Sequence, residues 1–136
     1  MSKQLLNLSA IINQGILTKK QWVFVPVSRK LNVILNFLQR LGFIGEFIII
    51  TSHNPKSKIR KRHYKISILY NIIGEPVLSC IYPISKPSRR IYVSVAQLQR
   101  IRKTTVVLLI STNAGILTHI EALQRRLGGE LYCLVI

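Results

Sequence analysis

Four pieces of the C-terminal third decide the fold: Thr104-Thr-Val-Val-Leu-Leu-Ile110, Ser111-Thr-Asn-Ala-Gly115, Ile116-Leu-Thr-His-Ile-Glu121 and Leu127-Gly-Gly-Glu-Leu-Tyr-Cys133. The first is a β-branched apolar run bounded by polar residues, the signature of a buried strand. The second is a polar loop, and a brief Ile116-Leu117 follows it. Thr118-His-Ile-Glu121 has capping-box spacing, in which the Thr hydroxyl and the Glu carboxylate each satisfy backbone amides of a first helical turn. That helix is expected to run to about Arg126 and to end at Gly128-Gly129, with a terminal strand over Glu130–Ile136.

Working outward, Pro83 and Pro87 mark a junction. Beyond it Arg90–Ser94 is strand-like, and Val95–Arg102 reads as a short helix or turn. Before it, Leu5, Leu6, Leu8, Ile11 and Ile12 follow helical spacing, with Gly15 as the expected stop. Trp22–Pro26 reads as a strand. Ser28 is the expected N-cap of a second helix with the apolar stripe Leu31, Ile34, Leu35, Leu38 and Leu41, and Gly42 is its C′ residue. Phe43–Ser52 and Tyr64–Asn71 are strand-like, and His53–His63 between them reads as a basic hairpin loop. A turn near Gly74-Glu75-Pro76 leads into Val77–Tyr82 as part of a sheet meander. The expected class is α+β with two small domains. Residues 1–82 form a helix-strand-helix plus antiparallel sheet, and residues 83–136 a mostly β domain with one short helix.

Composition narrows the function. The chain has 136 residues, 49% apolar and 18% charged, with twenty Lys and Arg against four Glu and no Asp, net +16. It can bury a core, and so is not a disordered basic tail. Four carboxylates disfavour an acid-pairing enzyme, and the cation excess favours a polyanionic partner. Cys80 and Cys133 stand apart with no CxxC or nearby His pair, so neither a disulfide framework nor a zinc site is expected. The longest apolar runs, such as Phe43–Ile50, fall far short of the roughly twenty residues of a spanning helix. The N-terminus enters a helical pattern directly, without the features of a signal or transit segment.

The charge is uneven. Residues 1–55 carry net +5, residues 56–103 net +11, and residues 104–136 net zero. A basic middle beside a neutral, well-patterned end suggests an attraction surface next to a more selective reading surface.

Candidate chemistry is sparse. His53, His63 and His119 lack carboxylate or cysteine partners at ligand spacing. Gly128-Gly129 has neither the Lys-Ser/Thr of a phosphate loop nor a three-glycine fingerprint. Ser111 has no arguable His or Asp partner as a nucleophile. Ser111-Thr112-Asn113 is a better candidate for RNA, whose shallow minor groove displays 2′-hydroxyls and base edges; alone, the same tripeptide more often caps or turns a chain. Glu130 must accept a hydrogen bond from a base or ribose if it faces RNA, and otherwise is a water-facing glutamate at a strand start.

These same residues carry a family resemblance. Ser111-Thr-Asn-Ala-Gly-Ile-Leu-Thr118 with Leu127-Gly-Gly-Glu-Leu-Tyr-Cys133 closely resembles the C-terminal signature of ribosomal small-subunit protein eight. Pro26-Val-Ser-Arg-Lys-Leu31 leading to Leu41-Gly-Phe-Ile44 resembles the family's second helix and its exit. Ser85-Lys-Pro-Ser-Arg-Arg-Ile-Tyr92 resembles its inter-domain segment. The resemblance spans roughly residues 5 to 136. It implies a two-domain α+β protein that binds the central domain of small-subunit ribosomal RNA and meets neighbouring ribosomal proteins, with no cofactor, metal or catalysis. It implies RNA contact for Ser111 and Thr112, for Glu130 and for Tyr92. Asn113 stands where bacterial members usually have a second serine. Lys30, Lys86, Arg89 and Arg90 lie in the matching segments. Lys58, Arg60 and Arg62 lie in the basic loop, which is richer in charge than the family pattern. His119-Ile120, Arg125-Arg126 and Ser88 also depart from it.

Twenty-one Ile, no Asp and the high net charge suggest an A/T-rich genome. A mitochondrial, organelle-encoded ribosome is the first expectation, with a plastid or a bacterium as alternatives. The rival function from another class is a peripheral protein using its basic middle on anionic lipid.

Overall fold

The computed structural model describes residues 2–53, 55–56, 60–86, 88–101 and 106–136. They fall into two compact units, Ala10–Ser79 and the residues up to Ser9 together with Cys80–Ile136. The chain thus leaves the first unit ahead of Pro83, and the opening helix starts in one unit and ends in the other.

The unit of residues 10–79 holds the C-terminal part of α1 (Ser2–Leu17), β1 (Trp22–Pro26), α2 (Arg29–Arg40), β2 (Ile44–His53) and β3 (Arg60–Ile68). The sheet is antiparallel in the order β1-β3-β2. Pleating sends Val23, Val25, Tyr64, Ile66 and Ile68 to one buried face. Both helices lie on that face. Gly15 of α1 meets Val23 and Ile68, and the Tyr64 hydroxyl donates to the Ser28 carbonyl at the start of α2, 3.0 Å away. Ile12 and Ile16 of α1 and Leu31, Ile34, Leu35, Phe37 and Leu38 of α2 are buried.

Gly15 is not the helix stop expected from sequence. α1 continues to Leu17 because that glycine serves packing: a Cβ there would run into the Val23 side chain. The helix ends with Lys19 in the left-handed region (φ 53°), where the Lys20 and Lys19 amides bond to the Gly15 and Ile16 carbonyls in a Schellman arrangement. α2 ends as expected. Gly42 has φ 81°, and the Phe43 amide reaches the Leu38 carbonyl at 3.0 Å. Ser28 holds the N-cap position in extended conformation, without the side-chain cap bond expected of it.

The expected basic loop 53–63 is shorter in the structure. His53 and Arg60 are already cross-strand partners, followed by Ser52 with Lys61 and Thr51 with Arg62. Cations alternate across a pleat as readily as other long side chains, so the basic run extends β3 instead of opening a loop. The expected meander also ends early: β4 (Ile81–Pro83) pairs with β8 (Gly129–Val135), not with the first sheet.

The second unit is a five-stranded antiparallel sheet ordered β4-β8-β6-β7, with β5 (Tyr92–Val93) also on β8; β6 is Val107–Thr112 and β7 Gly115–Thr118. Its core cluster joins Leu108 and Ile110 of β6, Leu117 of β7 and Leu131 of β8 to Leu98 of α3 (Val95–Ile101) and Ala122 of α4 (His119–Gln124). Among the described residues of 83–136 there are therefore two short helices rather than one. The first is announced by Ser94-Val-Ala-Gln97, a capping box that the sequence reading missed: the Ser94 amide donates to Gln97 Oε1 at 2.9 Å, and the Gln97 amide to Ser94 Oγ at 3.3 Å.

Candidate nucleic-acid interface

Ser111 and Thr112 are the last residues of β6, not members of a loop, and the connection to β7 is the two-residue turn Asn113-Ala114. Gly115 completes it at φ 103°, a conformation that strains any side chain. The Thr112 hydroxyl is held by this turn. It donates to the Gly115 carbonyl at 2.9 Å and accepts from the Ala114 amide at 3.2 Å. Its hydrogen is committed, which leaves acceptor capacity for an outside donor. Asn113 sits exposed at the tip.

The register gathers three residues that are far apart in sequence. Ser111 of β6 pairs with Glu130 of β8, and Glu130 pairs with Tyr92 of β5. Cross-strand partners project to the same face, so hydroxyl, carboxylate and phenol form one row across three strands. Ile110 and Leu131, one position away, point into the α3–α4 core, so the row lies on the opposite face. Tyr92 is 65% exposed, while Ser111 and Glu130 are half-buried.

The paired glycines make this row possible. A Cβ on Gly129 would strike the Ser111 carbonyl, and one on Gly128 would lie 2.6 Å from the Val93 carbonyl. They let β8 press against β6 and β5. They do not end α4, as the sequence suggested. Arg126 takes the left-handed position (φ 55°), and the Leu127 amide closes on the Ala122 carbonyl at 2.9 Å.

β4 and β5 lie end to end along β8, joined by a segment pinned at Ser85. The buried Ser85 hydroxyl donates to the Leu131 carbonyl at 2.6 Å and accepts from the Ile91 amide at 3.2 Å. Lys86 and Arg89 pair through reciprocal backbone bonds of 2.9 and 3.0 Å, and Lys86, Arg89 and Arg90 are all exposed. A cationic turn thus leads directly into Tyr92. Sequence reasoning missed Ser85 as the fixing residue, because its partner Leu131 is 46 positions away.

At the far end of β7 the Thr118 hydroxyl accepts from the Glu121 amide at 3.1 Å, as the capping-box spacing predicts. His119 is buried behind it. Its Nδ1 accepts from the Leu108 amide at 3.3 Å, its Nε2 has no partner among the described residues, and burial lowers its pKa. The β6 backbone thus fixes its imidazole inside the unit. Burial also pushes the Cys133 thiol up to about 12, which removes it as a nucleophile at neutral pH. Among the described residues no His, Cys, Asp and Glu cluster could hold a metal ion, and no helix is long and apolar enough to cross a membrane.

In the unit of residues 10–79, Lys30 is exposed in the first turn of α2, beside Arg29 and with no acid in that turn. Two cations there oppose the helix dipole, so their placement does not serve the helix. Arg60 and Arg62 are exposed on β3. Lys58 lies outside the described residues.

A row of hydrogen-bonding groups thus stands beside a cationic turn, in a small two-unit α+β fold of net charge +16. The model of the family Ribosomal protein S8 matches residues 4–136. The chain is similar to the protein named Small ribosomal subunit protein uS8 in a Sulfurihydrogenibium species, at 34% identity over 93% of this chain and 92% of that one. It is similar to the protein of the same name in Chlamydia trachomatis serovar D, at 31% identity over 98% and 96%. It is also similar to uS8c of Phaeodactylum tricornutum, at 31% over 91% and 90%. The chain belongs to the ribosomal protein S8 family, and it is a structural constituent of the small ribosomal subunit.

Proposed function

We propose that this chain binds the central domain of small-subunit ribosomal RNA and supports its folding, with two kinds of contact. Ser111, Thr112, Asn113, Glu130 and Tyr92 read the RNA through hydroxyls, amide, carboxylate and ring. Lys86, Arg89 and Arg90 position the backbone beside them, and Lys30, Lys58, Arg60 and Arg62 add phosphate contacts from the basic region. The proposed division is residues 1–82 as an α+β domain and residues 83–136 as the RNA-reading domain, with the basic middle, residues 56–103, supplying attraction across both. The observation that carries this reading is the Ser111–Glu130–Tyr92 row, which three strands assemble from sites 19 to 38 positions apart. A mitochondrial, organelle-encoded ribosome fits the Ile-rich, Asp-free composition.

The test is a sign reversal. Glu130→Gln removes a charge that phosphates repel, so electrostatics alone predicts tighter binding. A carboxylate accepting from RNA predicts weaker specific binding, by about 1–3 kcal/mol. Ser111→Ala removes a hydroxyl and no charge. It should weaken the cognate complex by about 1 kcal/mol while leaving affinity for unrelated RNA and the salt slope unchanged. Filter binding of cognate and unrelated RNA across a salt series measures both; tighter cognate binding by Glu130→Gln together with an unaffected Ser111→Ala rejects the reading.

A further inference from the structure

The twenty residues Ile66–Ser85 contain no Lys or Arg and one acid, Glu75, in a chain of net +16. Inside this cation-free stretch lie the two most exposed large apolar side chains among the described residues, Ile72 at 106% and Ile73 at 84%, with Val77 at 45% beside them. Their presentation is rigid. The Gly74 amide bonds to the Asn71 carbonyl at 3.0 Å, and Gly74 takes φ 92°. The Glu75 amide bonds to Asn71 Oδ1 at 2.9 Å, and the Asn71 amide to the Glu75 carbonyl at 2.8 Å. Tyr70 pairs with Pro76, and its hydroxyl donates to the Lys20 carbonyl at 2.6 Å, which ties the base of the turn to the end of α1. A β-branched side chain on a fixed turn loses little freedom when it docks.

Two isoleucines held in water contribute nothing to the core, and their surroundings select what would cover them. RNA needs cations to meet phosphate, and the turn itself supplies none. The exposed Lys19 and Lys20 stand at the end of α1 to which its base is tied, and its one charged side chain is a carboxylate that phosphate repels. An anionic bilayer fails on the same ground. An apolar pocket on a basic protein answers both features, seating Ile72 and Ile73 and turning a rim Lys or Arg toward Glu75.

We propose that the turn Asn71–Val77 is a protein-docking knob that inserts Ile72 and Ile73 into an apolar pocket, rimmed by basic residues, on a neighbouring protein of the small subunit. The proposal rests on the chain's place in that subunit, so the experiment reads incorporation separately. The full chain with a benzophenone amino acid in place of Ile73 is assembled into small subunits, sedimented, irradiated and mapped by mass spectrometry. The expected adduct is on one neighbouring ribosomal protein, at apolar residues close to Lys or Arg. Ile72→Ser combined with Ile73→Ser should lower retention of that neighbour about tenfold. Affinity for naked ribosomal RNA and the melting temperature should stay unchanged. An adduct on RNA or on a second copy of this chain overturns the proposal, as does no adduct in particles that contain the labelled chain. Failure of the labelled chain to sediment with small subunits, while the unlabelled chain does so, would show that the turn is needed for entry and would support it; failure of both would sink the underlying reading and this one together.

Discussion

β3 and β8 are both antiparallel strands with alternating burial, yet they present opposite chemistry. β3 opens on Arg60-Lys-Arg-His63, and its cations extend from whichever face the pleat assigns them. β8 opens on Gly129-Glu130 with no cation, and its one charged side chain has a defined place only because Ser111 and Tyr92 flank it. Charge acts over several ångströms and tolerates imprecise placement, whereas a hydrogen-bonding row works only in register. The difference predicts that β8 is intolerant of shape changes and β3 of charge changes.

The most severe way to break that contrast is Gly129→Val. The added atoms meet the Ser111 carbonyl, so the variant should lose about 3 kcal/mol of stability, the upper end of overpacking costs. Chemical denaturation measures this, and an unchanged midpoint would mean that β8 can shift away from β6 at little cost. Replacing Lys58, Arg60 and Arg62 together by Gln should leave the fold intact and weaken all RNA binding alike. Each lost phosphate contact should flatten the log–log salt dependence by about 0.7–0.9. An unaltered slope would take the start of β3 off the RNA.

Thr118→Ala sharpens the comparison at intermediate size. Losing the bond to the Glu121 amide should cost about 1 kcal/mol in a thermal melt. His119 gives a pH signature to the same region. Burial lowers its folded-state pKa, so the unfolded chain takes up a proton at a higher pH than the folded one. Its contribution is fully present above the ordinary histidine value near 6.5 and is lost as the solution is acidified through and below it. His119→Gln should remove that share of the acid sensitivity; identical pH–stability curves would show that His119 titrates alike in both states. The smallest effect is a gain. Lys30→Glu replaces a cation opposed to the α2 dipole by a favourable anion and should stabilise the fold by about 0.5 kcal/mol while weakening RNA binding. Loss on both counts would show that Lys30 is structural.

Much of this was legible without coordinates, because it depends on neighbours in sequence. The apolar stripe of α2, its Gly42 terminus and the Thr118–Glu121 cap are local patterns of three or four residues, and each appears where the spacing places it. The Ser94–Gln97 box was equally local and went unread. The basic run was visible as composition, but its conversion from loop to strand was not, since long charged side chains leave no periodic mark on an exposed pleat.

The sequence by itself determined the α+β class, the charge gradient and the family, all of which are sums over local features or ordered motifs. Tertiary structure alone decided what the glycines are for and which residues stand together. Gly15 and Gly129 carry no positive φ that would mark a turn; their need is the absence of a Cβ where Val23 and the Ser111 carbonyl approach. Ser85 is fixed to Leu131, and Ser111, Glu130 and Tyr92 become one surface, through strand register. Register is set by which apolar residues fill a common core, and a shift of one residue would send the whole row to the other face. That choice is made between strands, beyond the reach of any local pattern.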